Sequence, residues 1–88
     1  MPKRKNLTGE YVRRIRYRSG LSQSELAARC QRQGWDIDRF TIARIESGSR
    51  WVGDFEALEL ARVLRVPLLA LFGQKSAAQE ISREDFPR

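Results

Sequence analysis

Apolar residues recur at helical spacing in short stretches of this chain. Turn signals at Gly9, Ser19-Gly20, Gly34, Ser47-Gly48, Gly53, Pro67 and Gly73 separate them. No stretch sustains a period-two alternation, so the pattern predicts an all-α fold. The first helix is predicted from Thr8 as N-cap, with Glu10 in its first turn, Val12 and Ile15 inward, and Gly20 ending it. The second opens on Ser22 and Glu25, three apart as a capping box requires. It carries Leu26 and Ala27 into the core, places Arg29 and Arg32 near its C-terminal end, and runs to about Gln33 before Gly34.

Asp38 is the expected cap of a third helix, with Ile42 and Ile45 inward and Ser47-Gly48 as its stop. Asp54 is the expected cap of a fourth, with Leu58, Ala61 and Leu64 as its inward stripe. Pro67 suits the first turn of a short fifth helix, PLLALFG. Three apolar pairs have hydrophobic-staple spacing around the caps: Leu7 with Val12, Leu21 with Leu26, and Ile37 with Ile42. The predicted organisation is a basic arm over residues 1–6, one helical domain over 7–73 and a flexible tail over 74–88.

Composition narrows the function. With 88 residues, the chain has material for one compact core. One cysteine, Cys30, and no histidine leave no residues for a structural zinc site or for Ser-His or Cys-His catalysis. No cofactor and no enzymatic activity are therefore expected. No apolar run is long enough to span a membrane, and the basic start MPKRKN is not followed by the apolar stretch of a secretory signal.

The net charge is +6, supplied by fourteen arginines and three lysines against eleven acids. Residues 1–53 carry twelve basic and five acidic side chains, whereas 54–88 carry five and six. A solvated face is the plain explanation. The functional one is a polyanion surface in the N-terminal half, with nucleic acid as partner.

The strings GLSQSELA, TIARIESG and LARVLRVPLLALFG resemble, in that order, the lambda-repressor-like (XRE-type) helix-turn-helix family over about residues 7–73. The resemblance implies a five-helix domain that binds double-stranded DNA, with the third helix in the major groove. It implies a small transcriptional regulator, repressor-like, of bacterial or phage type and therefore cytoplasmic and nucleoid-associated. It also allows a homodimer through helix five or the C-terminal tail. One departure stands out. The stretch from Leu26 to Glu46 is longer than the family spacing, with the extra residues around CQRQGWDI, so an extended turn between helices two and three is expected. Trp35 would then pack on Cys30 as part of a Schellman ending.

On a helical wheel, Phe40, Ala43, Arg44 and Ser47 lie opposite Ile42 and Ile45, and Arg39 projects from the N-terminal flank. Arg39 and Arg44 have the fork for guanine O6 and N7, Phe40 suits thymine methyls, and Ala43 permits close approach. The resemblance places the same four residues at base edges. Backbone contacts are expected from Gln23 at the second helix N-terminus, and from Thr41, Ser47, Ser49 and Arg50. Trp51 suits either a sugar or the core. Lys3, Arg4 and Lys5 form either a contacting arm or a plain tail. By resemblance, Arg16 and Glu46 form a partly buried ion pair between the first and third helices. Two competing functions remain: a protein-interaction module on the same fold, and a non-specific nucleic-acid binder.

Overall fold

The computed structural model describes residues 3–73, so the expected tail over 74–88 lies outside the described residues. Four α-helices, α1 (Thr8–Arg18), α2 (Gln23–Arg32), α3 (Arg39–Ser47) and α4 (Asp54–Leu64), precede a 3₁₀ helix at Leu68–Phe72. The described residues contain no strand. The fifth predicted helix is thus a 3₁₀ turn rather than an α-helix, five residues long and closed by Gly73 at φ 84°. α3 packs on α1 and α2, and the 3₁₀ helix packs on α1 and α4. Val12, Leu26, Cys30, Ile42, Ile45, Leu60 and Leu71 are wholly or almost wholly buried at the centre.

The α2 boundaries follow the sequence signals. Ser22 Oγ accepts from the Glu25 N–H at 3.0 Å, and Glu25 Oε1 accepts from the Ser22 N–H at 2.8 Å. The helix stops in a Schellman geometry. The Gly34 N–H donates to the Gln31 carbonyl and the Trp35 N–H to the Cys30 carbonyl, with Gly34 at φ 93°. Trp35 packs half-buried against the core. Residues 33–37 then lead to Asp38, whose carboxylate accepts from the Thr41 N–H at 2.9 Å and caps α3.

Two helix starts differ from expectation. Thr8 does not cap α1: it is buried inside the first turn, and its hydroxyl has no partner among the described residues. Asn6 does the work instead, accepting from the Gly9 N–H at 2.7 Å. Moving the cap upstream breaks the first staple, and Leu7 points to solvent while Val12 is buried. At α4 the cap position is Gly53, with Asp54 the first helical residue. Because glycine has no side chain, only half of a capping box forms here, with Glu56 Oε1 accepting from the Gly53 N–H at 3.1 Å.

The inward face of α4 also differs. It is formed by Ala57, Leu60, Ala61 and Leu64, an i, i+3, i+4, i+7 set, while Leu58 lies outside it and is exposed. Of the expected stripe, Ala61 and Leu64 lie on this face and Leu58 does not. Leu26, Ile37 and Ile42 lie in the core, and Leu21 packs against it.

Candidate nucleic-acid interface

α3 is oriented by what it buries. Ile42 and Ile45 are inaccessible to solvent, and Glu46 beside them is 4% exposed. Glu46 accepts from Arg16 Nε at 2.6 Å and from Arg16 Nη2 at 2.9 Å, a fork on a carboxylate. Arg16 also donates from Nη1 to the Leu21 carbonyl at 2.9 Å, just before α2. Gln23 Nε2 adds a 3.1 Å bond to Glu46 Oε1. One buried carboxylate therefore ties α1, α2 and α3 together. Its hydrogen bond with Arg16 raises the guanidinium pKa further above its ordinary value, so Arg16 stays charged.

The far end of α3 is held by the N-terminal segment. Asn6 Nδ2 donates to the carbonyls of Ile45 at 3.0 Å and Arg50 at 2.8 Å. The Lys5 N–H donates to the Gly48 carbonyl at 2.7 Å, and Arg4 Nη2 to the Glu46 carbonyl at 2.9 Å. These bonds satisfy carbonyls that a helix end leaves unpaired. They also correct the picture of a free arm. Arg4 is committed to α3, Lys5 is anchored by its backbone with its side chain exposed, and Lys3 is exposed. Asn6 is a capping residue that the helix-start signals at Thr8 obscure. Its signal was there, however, because Asn is a preferred cap and stands three residues before Gly9.

With α3 fixed at both ends, its remaining side faces outward. Arg39, Phe40 and Arg44 are exposed, and Ala43 is half-buried between them. Phe40 is 57% exposed, with the Arg39 guanidinium 4.8 Å from its ring centroid. No ion pair occupies Arg39 or Arg44 among the described residues. Arg39 also borders a shallow cavity with Arg16, Tyr17, Ser22, Gln23 and Ser24, at the N-terminus of α2. The four residues expected at base edges thus share one surface, and Gln23 adjoins it.

The expected backbone contacts are placed less uniformly. Thr41 donates its hydroxyl to Asp38 Oδ1 at 3.0 Å, reinforcing the cap. The Thr41 N–H bond to Asp38 is the main reason that carboxyl titrates below its usual range. Ser47 and Ser49 hydroxyls lie 3.0 Å apart, exposed at the α3 end. Arg50 is not a free cation. Its Nη1 and Nη2 each donate at 2.9 Å to Glu56, raising the Arg50 pKa and lowering that of Glu56. The fork was invisible in the sequence because its partner sits six residues on, across a loop. Trp51 does not enter the core: it is 72% exposed.

A helix-turn-helix family model of the lambda-repressor-like, XRE type matches residues 12–71, from inside α1 through the 3₁₀ helix. The chain belongs to this helix-turn-helix family. The lambda-repressor-like fold is a DNA-binding one, whose family binds double-stranded DNA. No curated protein and no solved structure matches the chain. No helix among the described residues is long and apolar enough to cross a membrane.

Proposed function

We propose that this lambda-repressor-like domain binds double-stranded DNA sequence-specifically, as a small transcriptional regulator with α3 in the major groove. The carrying observation is the contrast between its arginines. Arg16 and Arg50 are consumed by Glu46 and Glu56, while Arg39 and Arg44 have no ion pair among the described residues and lie on the exposed side of α3 around Phe40 and Ala43. Each of these two guanidinium groups is positioned to fork onto a guanine edge, and Phe40 to meet a thymine methyl. Gln23, Ser47 and Ser49 then flank the groove as phosphate contacts, with the side chains of Lys3 and Lys5 as the arm's exposed cations. Two copies would engage two half-sites. Leu69 and Phe72, each 38% exposed on the 3₁₀ helix, are the apolar groups available for pairing.

Selection from a random duplex pool, followed by a salt titration on the selected site, tests this reading. A dimer neutralising about eight phosphates gives a log–log salt slope near −7. Arg44→Ala relaxes one base position at a cost of about 1–3 kcal/mol. Enrichment of no site, or binding indifferent to salt, overturns the proposal. A second reading, a protein-interaction module, is favoured by Trp51 and by Phe55, 82% exposed at the start of α4. It predicts the same two negative results.

A further inference from the structure

A second cationic surface lies at the other end of α2 from Gln23. Arg29, Arg32, Arg62 and Arg65 surround a concavity of about 330 Å³. Arg29 donates to the Val63 carbonyl at 3.1 Å, and Arg62 lies 3.9 Å from Glu59. No acidic partner reaches Arg32 or Arg65 among the described residues. Arg65 also lines an adjoining groove of about 580 Å³, between α1 and the 3₁₀ helix. That groove is lined by the apolar Ile15, Leu64, Val66, Pro67 and Ala70 together with Arg14 and Arg18. Arg14 already pairs with Glu10 at 3.2 Å.

Apolar side chains interspersed with guanidinium groups fit a polypeptide that interleaves apolar side chains with carboxylates. A nucleic-acid backbone supplies the charge but nothing to cover the apolar side chains. The chain itself carries such a segment. Glu80-Ile81-Ser82-Arg83-Glu84-Asp85-Phe86 holds three acids against one base, together with both large apolar residues of the last fifteen. Its point of departure is also on the page. Gly73, the last described residue, lines the groove, with its backbone against the Tyr11 ring: a Cβ there would lie 2.8 Å from the Tyr11 hydroxyl. Seven residues from Gly73 to Glu80 span up to about 25 Å, ample to turn back into the groove.

We propose that residues 80–86 dock in this groove on their own chain. Phe86 is the segment's apolar anchor, and Glu84 and Asp85 complement Arg18 and Arg65 in charge. So short a connection gives the segment an effective concentration on the order of millimolar, which favours its own groove over that of a second copy. The docked segment covers cations remote from α3 and leaves the α3 face as the main polyanion surface.

The test uses the full chain with a nitroxide at Ser82→Cys. Cys30 stays unlabelled because it is buried and its thiol pKa is pushed up to about 11. Amide signals of Arg18, Val66 and Ala70 are expected to lose most of their intensity, while those of Arg39–Ile45 keep theirs. Adding Phe86→Ala with Glu84→Gln and Asp85→Gln restores the groove signals. Broadening that is absent, uniform or centred on α3 overturns the proposal. So does broadening that appears only between a spin-labelled chain and a separate isotope-labelled one.

Discussion

Gly9→Ala sets two effects of opposite sign against each other. Gly9 is a helical residue in the first turn of α1. Exchanging glycine for alanine in an exposed helix interior stabilises by about 1 kcal/mol. Here, however, a Cβ built on Gly9 would lie 1.8 Å from the Ile45 carbonyl oxygen and 2.7 Å from Asn6 Oδ1. Both obstacles belong to the join between α1 and α3. Relief requires α1 and α3 to separate by more than 1 Å, since the Ile45 oxygen is backbone and cannot rotate away. Such overpacking costs about 1–3 kcal/mol. The same movement strains the Asn6 bond to Ile45, worth about 1 kcal/mol. The steric and hydrogen-bond costs together outweigh the propensity gain, leaving a net loss of about 1–3 kcal/mol. For a domain of this size that lowers Tm by roughly 5–20 °C. Thermal denaturation followed by circular dichroism measures it, and affinity for a selected duplex should fall as α3 shifts. A Tm that rises would refute the reasoning, because propensity would then have outweighed contact.

Three further outcomes follow from named contacts. Glu46→Ala leaves Arg16 charged and buried without its partner, so it should cost about 3–5 kcal/mol in urea denaturation. The double change Arg16→Met with Glu46→Leu should recover much of that loss, and a double variant as unstable as Glu46→Ala would show that the charge is not the cause. Glu56 has its folded pKa depressed, chiefly by the Arg50 fork, so its contribution to stability is complete above the unfolded carboxylate range. That contribution disappears as pH falls through the lowered folded value, so Glu56→Gln should flatten the acid limb of a Tm-against-pH curve below about pH 5. Arg50→Ala should lower Tm while leaving the salt slope of DNA binding nearly unchanged, the opposite of what a phosphate contact would give.

What was legible in the sequence was local. Ser22 and Glu25, Gly34, Asp38 and Gly48 each act within a few residues of themselves, and each stands where the spacing placed it. The buried pair of Ile42 and Ile45 fixed the outward side of α3 for the same reason. The Arg16–Glu46 pair was reached only through resemblance, since thirty residues separate its members. What escaped was set by tertiary contact. Thr8 resembles a cap until Asn6 turns out to satisfy both the start of α1 and the carbonyls of Ile45 and Arg50. Arg50 resembles a free cation until the loop folds it onto Glu56. Leu58 has the hydrophobicity of a core residue, but Ala57 and Leu60 share the face already fixed by Ala61 and Leu64.

The anchoring of α3 at both ends has a consequence for how the domain can change. Asp38 at one end, and Arg4, Lys5 and Asn6 at the other, act on backbone groups or on the cap, while Ile42, Ile45 and Glu46 hold the inward side. None of these interactions passes through the side chains of Arg39, Phe40 or Arg44. Those three positions are therefore thermodynamically cheap to exchange, and a lineage or a designer can rewrite what the helix meets while the frame that presents it stays as it is.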